Sequence, residues 1–326
     1  MSEMSPSQRT VWLRSLASRY ALIGVWIVMA AVYAGLRPHT FPTVQSAKTI
    51  FGSQSVLLFL SVSALSTLVV GEFDLSFASI MGLSATIIPV LSAQHGVPVG
   101  LSCLIALGAS LVCGMVNSLF VVRFGISSLV VTLGTASVNL GIAELLSGQT
   151  SVALAGNSLS RIAITHLLGL PLSFYYGLIL CAAYAYLLSW TPLGRHIIFV
   201  GANRDVARLA GINVDRIRVG SYLIASLLAG LSGLLIVATI GGFDPTGASA
   251  YLLPALSAVF LGTAIVRPGQ FNPMGTFLAL MFLETGIYGL QLMGYSGWVQ
   301  DTFYGAGLVI AVTLATVVRT RSKAPH

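Results

Sequence analysis

The chain has 326 residues, of which 56% are hydrophobic and 8% charged, and its mean hydropathy is +0.91. A soluble domain carries roughly a quarter charged residues, so this composition excludes a mostly water-facing surface and indicates one membrane bundle. The net charge of +7 gives no reason to expect a nucleic-acid partner, because the arginines cluster between apolar runs, as a topology signal does.

A helix needs about twenty apolar residues to cross the hydrocarbon core. Ten candidate spans follow in chain order, at roughly 20–36, 50–70, 75–91, 97–122, 129–146, 167–189, 219–240, 252–266, 273–292 and 304–318. The expected fold is an all-α polytopic membrane protein with about ten transmembrane helices. Its expected organisation is an N-terminal segment 1–19, a transmembrane domain 20–318 with a connecting loop 191–218, and a tail 319–326. The first run, Tyr20 to Leu36, follows a polar basic stretch and leads into Arg37-Pro38-His39. No small-residue cleavage site follows it, so it reads as an uncleaved first helix rather than a signal peptide. The third run follows the polar knot Gly71-Glu72-Phe73-Asp74, and the eighth carries Pro254 and ends at Arg267-Pro268-Gly269. Short or broken helices of this kind are tolerated where they line a protein cavity.

Charge sets the orientation. With ten alternating helices and the N-terminus inside, the inside segments hold Arg9, Arg14, Arg19, Arg123, Arg195, Arg204, Arg208, Arg216, Arg218, Arg267, Arg319, Arg321 and Lys323. The outside loops hold Arg37, Lys48 and Arg161, a ratio of thirteen to three. That asymmetry predicts a lipid-embedded chain with both termini cytoplasmic.

The longest charged stretch is the inside loop from Thr191 to Arg218. Asn203 is placed to cap a short helix running to about Ala210, and Gly211 to supply the left-handed residue that ends it. Val206, Leu209 and Ala210 share one face of that helix, while Arg204 and Arg208 share another. Asn213 then caps the next helix, with Asp215 in its first turn. On residues alone, such a helix is either a docking element or an interfacial one. The second to fifth and the seventh to tenth spans each hold a shortened segment after a longer one. Their opposite starting sides make an inverted repeat possible, an arrangement that puts a pathway at the repeat interface.

Four acidic residues lie in or beside spans: Glu72, Asp74, Glu144 and Glu284. A charge at a helix centre costs roughly 2.5–3.5 kcal/mol on insertion scales, so each needs a solute or proton pathway or access to an interface. Glu72, Asp74 and Glu144 stand near helix ends, where either reading applies, whereas Glu284 is mid-span and is expected to face inward or line a pathway. Asn117, Thr132, Thr135, Asn139 and Gln291 offer hydrogen bonds either to a hydroxylated solute or to neighbouring helices. Small residues such as Gly230-Leu231-Ser232-Gly233 predict close helix approach. Cys103, Cys113 and Cys181 sit in apolar runs without a CxxC pair and read as small buried hydrophobes.

Several chemistries are excluded. The two lysines, Lys48 and Lys323, form no GxxxxGK[ST] phosphate loop, so ATP would have to bind another chain. There is no HExxH and no GxSxG elbow. The five histidines are scattered without metal-ligand spacing, so neither enzyme activity nor a metal or other cofactor is expected.

Read together, these stretches resemble one family, the permeases of ribose- and other monosaccharide-type ABC importers. Gly71-Glu72-Phe73-Asp74-Leu75-Ser76, with Ser79 and Gly82, resembles GGIDLSVGSxxAL. Gly114 to Val121, GMVNSLFV, resembles GxxNGLLV, and Ser128 to Gly148 resembles PxFIVTLGTxxxxRGxxLxxTxG. The longest match begins at Thr191, where TPLGRHIIFVGANRDVARLAGINVDRIRVGSYLIASLLAGLSGLL resembles TxFGRxxYAIGGNxxAARLSGINVxRxKxxxYxxSGxxAGLAGLL. The likeness covers about residues 50 to 318. It implies a dimeric membrane pore, formed with a second copy or a homologous permease. It also implies a cytoplasmic ABC ATPase subunit, a periplasmic solute-binding protein, and a sugar-like small-molecule solute moved across the inner membrane. On that resemblance the Asn203–Gly211 helix docks on the ATPase, with Arg204, Asp205, Arg208, Gly211 and Asn213 as coupling positions. Glu72, Asp74, Asn117, Thr132, Asn139, Glu144, Glu284 and Gln291 are the candidate pathway residues.

The departures are local. Glu72 stands where the family usually has Gly, and Asn139 where it often has Arg. Leu252-Leu253 replaces a Glu-Leu pair, and a glycine-rich loop is replaced by Leu261 to Thr276. The competing classes are a proton-coupled secondary transporter using the four carboxylates and a receptor or scaffold. For the latter no extramembrane domain is visible.

Overall fold

A computed structural model of the protein describes residues 22–154 and 158–322. Arg9, Arg14, Arg19 and Lys323, on which part of the charge asymmetry rests, lie outside those residues, as does the segment 1–19. The helices are α1 (Leu22–Leu36), α2 (Val44–Gly52), α3 (Ser55–Leu68), α4 (Phe77–Pro89), α5 (Val99–Ser118), α6 (Ser128–Ser147) and α7 (Ser158–Ile164). There follow α8 (Leu172–Trp190), α9 (Pro192–Ala202), α10 (Arg204–Leu209), α11 (Val214–Ile240), α12 (Leu252–Gly262), α13 (Pro273–Leu292) and α14 (Trp298–Ser322). Among the described residues, eight helical runs are long and apolar enough to cross a membrane, and they coincide with the second to ninth candidate spans. The first candidate is α1, apolar but shorter, and the tenth falls within α14.

Two span edges differ from the expectation for stated reasons. The helix of the seventh span starts at Val214, ahead of the apolar run at 219, where the expected cap forms: Asn213 Oδ1 accepts from Arg216 N at 3.0 Å. The third span outlasts its α-helix. Pro89 has no N–H to give, and the chain widens into a π turn over Val90–Gln94 instead of stopping. A second π turn, Leu119–Arg123, ends α5.

The chain forms two compact units. In the unit Phe51–Leu256, α11 packs on α3, α4 and α5. Small residues make this possible: Gly114 faces Ser226, Gly230 faces Ser110, and Gly233 rests on the Met81 carbonyl and Ser84, with no room for a Cβ at any of the three. Hydroxyls pin the crossings. Ser63 Oγ donates to Ala225 O at 2.7 Å, Ser84 Oγ to Gly230 O at 2.9 Å, and Ser232 Oγ to Val56 O at 2.9 Å. Bonds of this kind in membranes are worth roughly 0.6–2 kcal/mol each. Every residue of α3 is buried, whereas α5 and α6 expose Leu104, Val112, Val130 and Leu145, the kind of surface that lipid or another apolar chain covers. Two short antiparallel ribbons complete this unit: β1 (Val152–Ala153) with β4 (Gly242–Phe243), and β2 (His166–Leu167) with β3 (Leu170–Pro171).

The other unit comprises residues up to Ile50 and from Ser257 onward. Within it α13 packs on α14. Gly286 meets the Phe303 ring and Gly289 the Tyr33 ring. Tyr33 Oη donates to Gly286 O at 3.1 Å, and Trp26 Nε1 to Thr285 Oγ1 at 2.9 Å. In the loop from Leu261 to Thr276, Asn272 holds the turn. Its Nδ2 donates to the carbonyls of Gly262, Ile265 and Gln270 at 3.1–3.2 Å, and its Oδ1 accepts Gly275 N at 2.6 Å, capping α13.

Candidate functional site

The loop between α3 and α4, residues 71 to 76, organises the polar groups of its unit. Gly71 ends α3 with φ +77°, and Glu72 N then returns to Thr67 O at 3.0 Å, a turn in which the left-handed residue is cheapest as glycine. The turn brings Glu72 against two arginines. Arg204 Nη2 lies 2.7 Å from Glu72 Oε1, and Arg218 reaches the same oxygen through Nε and Nη2, each at 2.7 Å. The Glu72 side chain is 4% exposed, Arg218 11% and Arg204 37%. Arg204 Nη2 also donates to Gly71 O at 3.0 Å. A carboxylate this buried is held by its partners.

The same loop continues into a buried seam. Asp74 Oδ1 accepts from Ser76 N at 2.8 Å and from Ser76 Oγ at 2.6 Å. Asn117 Nδ2 donates to Ser76 Oγ at 2.8 Å, and Thr135 Oγ1 donates to Asn117 Oδ1 at 2.7 Å. One turn along, Asn139 Nδ2 donates to Ser79 Oγ at 3.2 Å, and Cys113 Sγ donates to Asn139 Oδ1 at 3.4 Å. Thr132 Oγ1 accepts Leu75 N at 3.0 Å and donates to Ser128 O at 2.8 Å. Asp74, Asn117, Thr132 and Asn139 are therefore together, joining the loop and α4 to α5 and α6. Burial pushes the Asp74 carboxyl above the usual carboxylate range, against the lowering effect of the Ser76 bonds.

The remaining candidates lie elsewhere. Glu144 is half-buried in the last turn of α6. Glu284 is half-buried and Gln291 exposed on α13, in the other unit. Glu284 lies within electrostatic reach of Tyr304. Among the described residues no cluster of histidine, cysteine and carboxylate side chains is fit to hold a metal ion.

The Thr191 block forms a corner. Thr191 Oγ1 accepts Gly194 N at 3.0 Å and opens α9, with Pro192 at its first position. Gly201 lets α9 sit directly on the end of α3, where a Cβ would collide with the Val69 carbonyl. Asn203 Oδ1 accepts Asp205 N at 3.0 Å and Val206 N at 3.1 Å, which caps α10. Gly211, at φ +79°, closes it, and Ile212 N returns to Ala207 O at 3.0 Å. Arg208 pairs with Asp215 at 3.3 Å, both well exposed, and Leu209 is 89% exposed. Sequence reasoning missed α9, although Thr191-Pro192 signalled it. It counted Arg218 only as a topology charge. Its place as the last charge before the uncharged run from Val219 to Ile240 was the available sign of a buried partner.

The class is that of a membrane transport subunit, not an enzyme: residues 46–312 match the family described as "Branched-chain amino acid transport system / permease component". The chain belongs to that family of ABC-importer permeases. Among similar proteins is the "Autoinducer 2 import system permease protein LsrD" of Salmonella typhimurium, 30% identical over 251 residues, 75% of each chain. The protein of that name from Photorhabdus luminescens is 32% identical over 252 residues, again 75% of each. Its counterpart in Photorhabdus temperata is 28% identical over 318 residues, 95% of this chain and 92% of that one. No solved structure matches the chain.

Proposed function

We propose that this chain forms the inner-membrane pathway for a small hydroxylated solute of the sugar or autoinducer-2 kind. A periplasmic binding protein delivers the solute, and an ABC ATPase on the cytoplasmic side drives the import. A second permease, identical or homologous, completes the pore. The observation that carries this reading is the family match over residues 46–312, and the solute class is carried over from the names of the relatives. Asp74, Asn117, Thr132 and Asn139 supply donors and acceptors that solute hydroxyls take over when α4, α5 and α6 part. The corner made by α10 supports the coupling role. It is rigidly capped at both ends, and its exposed Leu209 and Val206 suit an apolar groove on a partner, with Arg204, Asp205, Arg208, Gly211 and Asn213 around them.

The test is Leu209→Asp, which puts a charge where the groove is expected. Membrane insertion should be unchanged, while the co-purifying ATPase falls by roughly tenfold or more, as loss of a central interface anchor does. Uptake should fall with ATP depletion and ignore uncouplers. Retained ATPase with normal uptake, or uptake abolished by uncouplers alone, overturns the reading.

A further inference from the structure

Glu72, a departure from the resembled pattern, is the centre of an ion triad with Arg204 and Arg218. Three elements converge on its Oε1: the loop that carries Glu72, the first residue of α10 through Arg204, and the first turns of α11 through Arg218. Arg204 Nη2 also holds the carbonyls of Gly71 and Val70 at 3.0 and 3.4 Å, the open end of α3. Arg218 Nη2 reaches Val121 O, in the π turn after α5, at 3.5 Å. Two residues beyond Glu72 the same loop carries Asp74, and with it the seam to Asn117 and Thr135.

We propose that Glu72 is a positioning residue that transmits displacement of α10 to the loop 71–76, and so to the buried seam, through Arg204 and Arg218. The inference rests on the coupling reading of α10. The graded exposure of the triad supports it. Arg204 is the half-wet member and shares the short helix that offers Leu209 to a partner, while Glu72 is buried and Arg218 nearly so. A partner seated on α10 removes water from Arg204, and the Arg204–Glu72 attraction strengthens as the local dielectric falls. The link is therefore tightest when the partner is docked. A purely structural staple would need no exposed member.

The experiment uses the assembled complex in proteoliposomes and reads solute taken up per ATP hydrolysed for Glu72→Gln, Arg204→Gln and the double variant. The ratio should fall by roughly tenfold in each single variant, within the usual range of inter-site coupling, and no further in the double. If Arg204 acts only by touching the ATPase, the two losses multiply in the double variant, and the proposal is overturned. It is overturned equally if Glu72→Gln leaves the ratio unchanged. Should Glu72→Gln fail to insert, Glu72→Gly, the residue of the family pattern, carries the same comparison. A wild-type complex that recruits no ATPase sinks the coupling reading itself, and this inference with it.

Discussion

Asp74 Oδ1 takes both Ser76 donors, while Oδ2 is buried without a hydrogen-bond partner. Ionisation there is opposed by burial, so the folded state holds this proton to higher pH than the unfolded chain does. Stability contributed by the neutral form is therefore complete below the unfolded value, about pH 4. It is lost as pH rises from there until the buried carboxyl ionises. Asp74→Asn keeps an acceptor for Ser76 and cannot ionise. In detergent melts, the wild type should lose stability relative to Asp74→Asn as pH rises above about 4. A constant difference across the acid range would show that Asp74 pays no burial penalty. Glu284 poses the complementary question on α13, between buried Leu283 and Thr285 and near Tyr304. An inward-facing carboxylate is tolerated where one facing lipid is not. Glu284→Gln should insert normally and lower uptake if the residue lines the path. If it only ties helices together, Gln should transport normally and Glu284→Leu should assemble poorly. Finding the carboxylate directed at acyl chains would refute both versions.

At the scale of elements, the corner of α9, α10 and α11 depends on close backbone approach as well as on caps. Gly201→Ala adds a methyl against the Val69 carbonyl, and neither backbone can yield without moving α9 off α3. Overpacking of this kind costs about 1–3 kcal/mol. The variant should melt lower in detergent and recruit less ATPase, whereas Gly220→Ala, where a Cβ meets nothing within 4 Å, serves as the neutral control. The caps of this corner were legible in the sequence because capping is local: Asn203, Gly211 and Asn213 each act within a few residues of themselves. The small-residue crossings at Gly230 and Gly233 were legible for a similar reason. The seam was not. Asn117, Thr132 and Asn139 were visible as polar residues in spans, but their partners Ser76, Thr135 and Ser79 are set by which helices meet. The π turns after Pro89 and Ser118 were also invisible, since a helix that widens keeps the apolar pattern of one that does not.

At the scale of the whole molecule, the remaining test concerns how the chain sits in the bilayer. Among the described residues, eight runs meet the length and hydropathy needed to cross, and α1 and α14 occupy the positions of the first and tenth candidates. With ten crossings the two ends share a side, and nine or eleven would separate them. The argument for the cytoplasmic side is electrostatic. Positive residues in short loops resist translocation, and a ten-crossing topology would put thirteen of the sixteen Lys and Arg residues on the side of the Thr191–Arg218 stretch. That side also carries α10, so the topology and the proposed ATPase corner stand or fall together. A reporter active only in the periplasm, fused after Thr320, should stay silent, while one fused in the Arg37–Lys48 connection should be active. The opposite pattern would put α10 outside, where no ATP is available. It would remove the coupling role of Arg204 and Arg208 whatever their local geometry.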